Sequence, residues 1–237
     1  MKISVIGQDT LAAAIRECCQ PHHSLVIPSE AELVWICYDT PIIDDIPDSQ
    51  WVMDRIDELV PTCNPSAVML ISSQMPVGTT ASCERNHPNL CWACSPENIR
   101  VATAVADFQK QSRIVLGVRR IEDAERIMPL LRPFTGNIIV TNPETAEMCK
   151  HALNCWLGMN IAFINEISRI CKVVGADVDK ITEALKTERR ISPNAPLKAG
   201  GPFGGGHLAR DIHVLGEIAK TNGILAPIIK SITESNK

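Results

Sequence analysis

Two polar pairs, each spaced four residues apart, carry most of the chemistry that this sequence could perform. Lys150 and Asn154 fall within a strongly helical stretch, so their side chains share one face. A lysine desolvated on such a face has its pKa lowered toward neutrality and can take up a proton; a lysine left in water remains a solvated charge. His207 and Asp211 repeat the spacing. His207 begins a helix, whose positive end keeps an imidazole neutral and able to accept a proton, and its other reading is a polar plug in a disused pocket. The His207 and Asp211 spacing would also suit a metal, but Arg210 stands between them in sequence and no third ligand is evident, so no metal is expected. Cys91 and Cys94 have the spacing of a redox or zinc half-site. They lie in an apolar stretch ending in Ser95-Pro96, without two further ligands or a helix start, and read as core thiols on a strand. The last candidate is Gly7-Gln8-Asp9-Thr10-Leu11, where an apolar run turns into a helical pattern. That junction is where a doubly wound sheet places a phosphate against a helix N-terminus.

The elements that must position these residues change character once along the chain. Lys2 to Ile6, Leu25 to Ile27, Leu33 to Cys37, Val68 to Ile71, the Cys91 run, Ile114 to Leu116 and Ile138 to Val140 are short and apolar, as strands buried on both faces are. Amphipathic helical patterns lie between several of them, clearest over Val52 to Leu59 and Ala124 to Leu131. Residues 1–141 therefore read as a Rossmann-like, doubly wound α/β domain with a mainly parallel sheet. Asn142-Pro143-Glu144 is a helix start, a cap followed by proline at the first helical position. Apolar residues then recur at three- and four-residue steps from Met148 to Ile170, predicting one helix about 45 Å long at roughly 1.5 Å per residue and stopped by Gly175. Shorter helices over Asp177 to Lys186, His207 to Asn222 and after Pro227, with a Gly/Pro-rich loop from Ser192 to Gly206, make 142–237 an all-helical domain.

The totals narrow the class. A net charge of −4 with scattered basic residues does not resemble a phosphate-backbone binder, so nucleic acid is not an expected partner. No apolar run approaches the roughly 18 residues of a membrane span, and the opening is too short for a signal-peptide core, so a cytoplasmic protein without a membrane partner is expected. The ten cysteines sit mostly in apolar runs, the placement of reduced thiols in a core rather than of a disulfide framework. A helix so long, with an apolar stripe along it, points to a homodimer through the helical domain.

Several segments, collinear over nearly the whole chain, resemble the nucleotide-sugar dehydrogenases of the UDP-glucose/GDP-mannose class. Trp35-Ile36-Cys37-Tyr38-Asp39-Thr40-Pro41 is similar to the strand and turn after the adenosine half. Ser72-Ser73-Gln74-Met75-Pro76-Val77-Gly78-Thr79-Thr80 and Ser95-Pro96-Glu97-Asn98 resemble two further family segments. The most specific stretch runs from Ala146-Glu147 through Lys150, Asn154 and Ile161 to Glu166, then Gly175-Ala176-Asp177, Arg190-Ile191 and Gly204 to Asp211. The family oxidises the C6 alcohol of a UDP- or GDP-sugar to a carboxylate with two NAD molecules. The resemblance thus implies NAD or NADP held by Gly7, Gln8, Asp9, Thr10, Leu11, Tyr38, Thr40 and Gln74. It implies a sugar-like or hydroxy-acid substrate contacted by Glu97, Arg190, Gly204 and Arg210. Lys150 and Asn154 resemble the general-base lysine and orienting asparagine of the wider 6-phosphogluconate and hydroxyacid dehydrogenase superfamily, with His207 and Asp211 completing the catalytic set.

This sequence also departs from the family pattern. The dinucleotide loop keeps one glycine, and Asp9 puts a carboxylate where a pyrophosphate would lie; its local reading is a helix cap. Roughly one strand-helix unit is missing after Ile27, leaving Glu30 as the nearest candidate for the ribose hydroxyls. The family's C-terminal nucleotide-gripping domain is not expected in a chain ending at Lys237. His207 stands where the family has the thiol that carries the second oxidation, Arg210 stands for a lysine, and Val101 for a second acid. Two readings follow: an NAD(P)-dependent oxidoreductase limited to a two-electron alcohol/carbonyl step, or a non-catalytic descendant acting as a binding or assembly module.

Overall fold

A computed structural model of the chain describes residues 1–43, 46–204 and 206–236, with the side chains of Ile46, Gly206 and His207 outside the description. Its contacts divide into two compact units, Met1–Lys150 and His151–Lys237.

The first unit opens with β1 (Lys2–Ile6), α1 (Thr10–Cys19), β2 (Ser24–Leu25) and β3 (Leu33–Ile36), followed by the short hairpin β4 (Ile42–Ile43) and β5 (Ile46–Pro47). It continues through α2 (Ser49–Leu59), β6 (Val68–Ile71), α3 (Thr79–Asn86), β7 (Cys91–Cys94) and α4 (Ala104–Gln109). Next come β8 (Ile114–Val118), α5 (Ile121–Leu131), β9 (Ile138–Thr141) and the start of α6 (Pro143–Val174). One sheet takes the order β2-β1-β3-β6-β7-β8-β9. Its first five strands are parallel, β8 runs antiparallel to β7, and β9 runs parallel to β8.

Period-two alternation explains the layers. In β3, Leu33 and Trp35 join Ile3, Ile15, Phe108 and Ile127 in one core, while Val34 and Ile36 join Val52, Ile56, Met69 and Trp92 in the other. Both faces of the sheet are therefore covered by helices, which is why the central strands are apolar throughout rather than alternating with polar residues. Burial of a side chain such as Ile56 contributes about 1.5–3 kcal/mol. Cys91 and Cys94 lie on β7 as thiols, with Cys94 buried. Among the described residues no group of acidic, histidine and cysteine side chains could hold a metal, and no helix is long and apolar enough to cross a membrane.

Helix α6 begins where its sequence says it should. Asn142 Oδ1 accepts from Thr145 N at 2.8 Å, Pro143 takes the first position, and Gly175 follows the last turn at φ 71°. The second unit adds α7 (Val178–Thr187), α8 (Gly206–Thr221) and α9 (Pro227–Ser235). Its long loop is pinned by amides: Asn165 accepts from Gly200 N and donates to Gly201 O, and Asn236 does the same for the backbone of Phe203. Helices α3 and α4 and the reversed direction of β8 are features that the apolar pattern did not announce.

Candidate active site

In the first unit β2 lies on one side of β1 and β3 on the other, so strand order reverses at β1. The carboxyl ends of β1 and β3 are then the topological switch point, where open α/β sheets take their ligands. Gly7 holds φ 128°, and a Cβ there would stand 2.2 Å from the Cys37 carbonyl oxygen, so the neighbouring strand alone demands glycine. Asp9 caps α1: its carboxylate accepts from Ala12 N at 2.8 Å. Burial raises the Asp9 pKa, the Ala12 hydrogen bond opposes that shift, and the nearby Asp39 carboxylate adds to it. The Arg16 guanidinium sits behind the loop, donating to the carbonyls of Val5 and Gly7. Gln8 and Thr10 are exposed and Leu11 is half-buried.

These residues do not fit a dinucleotide held by its pyrophosphate. The Ala12 N–H, in the first turn of α1, already serves a carboxylate, and Asp39 brings a second negative charge. Strand β2 is only two residues long, both exposed, and forms the edge of the sheet. Glu30 sits exposed in a single 3-10 turn, Pro28–Glu30, that leads straight to Ala31 and β3. Of the other expected cofactor contacts, Thr40 and Gln74 come together, Thr40 Oγ1 donating to Gln74 O at 2.7 Å. Tyr38 packs edge-on against Trp51, with ring centroids 5.9 Å apart.

The ends of β6 and β7 meet the first turns of α6. Glu147 is buried and clasps the start of α3, accepting from Gly78 N at 2.6 Å, Thr80 N at 2.8 Å and Thr80 Oγ1 at 2.7 Å. One turn later Lys150 Nζ donates to the backbone carbonyl of Glu97. The Glu97 side chain is 4% exposed, and burial pushes its pKa up to about 7 against the opposing pull of Lys150. Gln111 stands near enough to favour the ionised form without making a well-formed hydrogen bond. A small cleft of about 10 Å³ lies among Ser73, Met75, Cys94, Glu147 and Lys150, room for about one water molecule.

In the second unit Asp211 is fully buried on α8 and is held from α6: His151 Nδ1 stands 2.7 Å from Oδ1, and Asn154 Nδ2 donates to Oδ2. The Asn154 amide, expected as the orienting asparagine, is thus engaged with Asp211. Arg210 is buried as well. Arg190 lies on the surface, its side chain 87% exposed and 3.0 Å from Glu188, and Gly204 is exposed in the loop before α8. His207 falls in the first turn of α8, and its side chain lies outside the described residues.

Sequence reasoning passed over His151 and gave Glu147 no role. His151 had a signal: it lies three residues before Asn154, which puts two polar groups on one face of a helix otherwise apolar there. Glu147 was visible only as part of the stretch that resembles the family, with nothing in the sequence to name its partners.

A sheet wound on both faces, followed by helices begun by one long helix, is the fold of the Rossmann-type dehydrogenases. Two solved structures share it at low identity. A UDP-glucose dehydrogenase from Pyrobaculum islandicum superimposes with a TM-score of 0.86 at 20% identity, covering 99% of this chain and 67% of its own. A 3-hydroxyisobutyrate dehydrogenase from Mycobacterium tuberculosis gives 0.79 at 14% identity, covering 98% and 91%. In sequence, residues 19–135 match the NAD binding domain of the UDP-glucose/GDP-mannose dehydrogenase family, and residues 144–237 match its central domain. The chain belongs to that family. A UDP-glucose 6-dehydrogenase of Rickettsia bellii is 32% identical over 197 residues, 80% of this chain and 45% of that protein. One of Bacillus subtilis is 34% identical over 177 residues, 72% and 38%. The chain thus spans less than half the length of these two curated relatives.

Proposed function

We propose that this chain keeps its family's scaffold without running the NAD-dependent oxidation of a nucleotide sugar to the acid, and that it works as a binding or assembly module. The observation that carries this reading is the Asp9 carboxylate seated on Ala12 N at the start of α1, with Asp39 beside it. A phosphate approaching that helix end meets two carboxylates instead of unpaired N–H groups. His207 supports the same reading from sequence, since an imidazole at the family's cysteine position cannot carry a thioester. Assembly would be a homodimer through α6, whose exposed Trp156, Phe163 and Ile170 recur every seven residues.

A second reading, a two-electron alcohol/carbonyl step on a sugar-like or hydroxy-acid substrate with NAD or NADP, is favoured by Lys150 and Glu97. Lys150 donates to the Glu97 backbone carbonyl, and the Glu97 carboxyl is buried with its pKa pushed up to about 7; a lysine and a near-neutral carboxyl kept at one place are groups that proton-transfer chemistry uses.

Incubating the protein with UDP-glucose or GDP-mannose and either NAD or NADP, with reduced cofactor read by absorbance and products by mass spectrometry, separates the two. The expected result is neither reduced cofactor nor oxidised sugar. Reduced cofactor in step with a carbonyl product would establish the second reading, and the sugar acid formed at enzyme-like rates would overturn both.

A further inference from the structure

The connection from β7 through α4 to β8 encloses a groove of about 280 Å³, lined by Asn98, Arg100, Asp107, Lys110, Gln111 and Arg113 among others. Three cationic side chains face one carboxylate there, on a chain whose net charge is −4. The carboxylate is already spent. Asp107 accepts from Arg100 Nε at 2.9 Å, Nη2 at 2.8 Å and N at 3.1 Å, and from Thr103 Oγ1 at 2.8 Å. That arrangement holds its carboxyl well below the usual carboxylate range, the Arg100 guanidinium being the main cause.

Lys110 and Arg113 are left without an ion pair among the described residues. Lys110 is exposed and can be satisfied by water, whereas Arg113 is half-buried. A guanidinium drawn partly out of water with no carboxylate carries a desolvation cost that a bound anion would offset. Its planar fork matches two oxygens of a phosphate, and an ammonium nearby adds a point charge. We infer that this groove binds the phosphoryl group of a small molecule, with Arg113 as the two-pronged contact and Lys110 as the second charge. The site does not depend on what the ends of β1 and β3 bind, so the failure of one reading leaves the other standing.

Calorimetric titration of the whole chain at low salt with inorganic phosphate, pyrophosphate and UDP, each alone, tests it. Saturable binding with one site per chain is expected for at least one of them, weakening as salt is raised. Arg113→Ala should weaken it at least tenfold, Arg113→Lys less, and Arg132→Ala on the exposed end of α5 not at all, with circular dichroism unchanged throughout. UDP binding tighter than pyrophosphate would identify a nucleotide as the source of the phosphoryl group; equal affinities would show that phosphate alone is recognised. No saturable binding of any of the three, or binding indifferent to Arg113→Ala in a folded protein, overturns the inference.

Discussion

His151 Nδ1 and Asp211 Oδ1 stand 2.7 Å apart with side chains 2% and 0% exposed, so an imidazole on α6 holds a carboxylate on α8 inside the second unit. Asn154 takes the other carboxylate oxygen, and the three residues form one network. His151→Ala should lower the unfolding free energy by about 1–3 kcal/mol, because it removes one partner of a buried carboxylate that Asn154 still holds. In a double-mutant cycle with Asp211→Ala, the two losses should sum to more than the pair loses together. Urea unfolding followed by circular dichroism checks this; a loss from His151→Ala below about 1 kcal/mol would show that the contact is not a clasp.

Glu147 performs a comparable task in the first unit, where it closes the N-terminus of α3 from α6. Glu147→Ala leaves the N–H groups of Gly78 and Thr80 without their acceptor and should cost about 3 kcal/mol, with Glu147→Gln recovering part of it. Amide exchange at Thr80 is the local readout, and it should quicken more in the alanine variant than at α5.

Glu97 should make stability fall as pH rises. Its pKa is about 7 in the folded chain, above the ordinary carboxylate value, so between those two pH values the folded state binds more protons than the unfolded one. Stability is therefore greatest below the unfolded value, declines through pH 5 to 7, and levels off above, with a total change of about 3 kcal/mol at most. Glu97→Gln should remove most of this slope and unfold at higher urea than the wild type at pH 8. An unchanged slope would mean that the carboxyl does not titrate in that window.

The sequence was most legible where local rules act alone. Asn142, Pro143 and Gly175 set both ends of a 32-residue helix, and the apolar runs of β3 and β6 announced strands covered on both faces. Helix α3 was harder to see because it buries only Thr79, Thr80 and Cys83, so no apolar stripe marks it. The direction of β8 is carried by pairing with its neighbours, and the run from Ile114 to Val118 would read the same either way. Gly7 was visible as a residue but not for its cause: the loop pattern suggested a cofactor's approach, whereas the carbonyl of Cys37 already leaves no room for a side chain. Of the candidate site, Lys150, Asn154, Asp211 and Glu97 could be named, but their partners could not, since Asn154 finds Asp211 57 residues away and Lys150 finds the Glu97 backbone 53 residues back.

Titration of the purified protein with NADH, followed by calorimetry, tests the central claim most directly. If the Asp9 carboxylate occupies the start of α1 as Ala12 N and Asp39 indicate, no saturable binding should be seen at concentrations below about 1 mM, and NADPH should behave alike. Saturable binding of NADH with a Kd in the micromolar range would contradict the account.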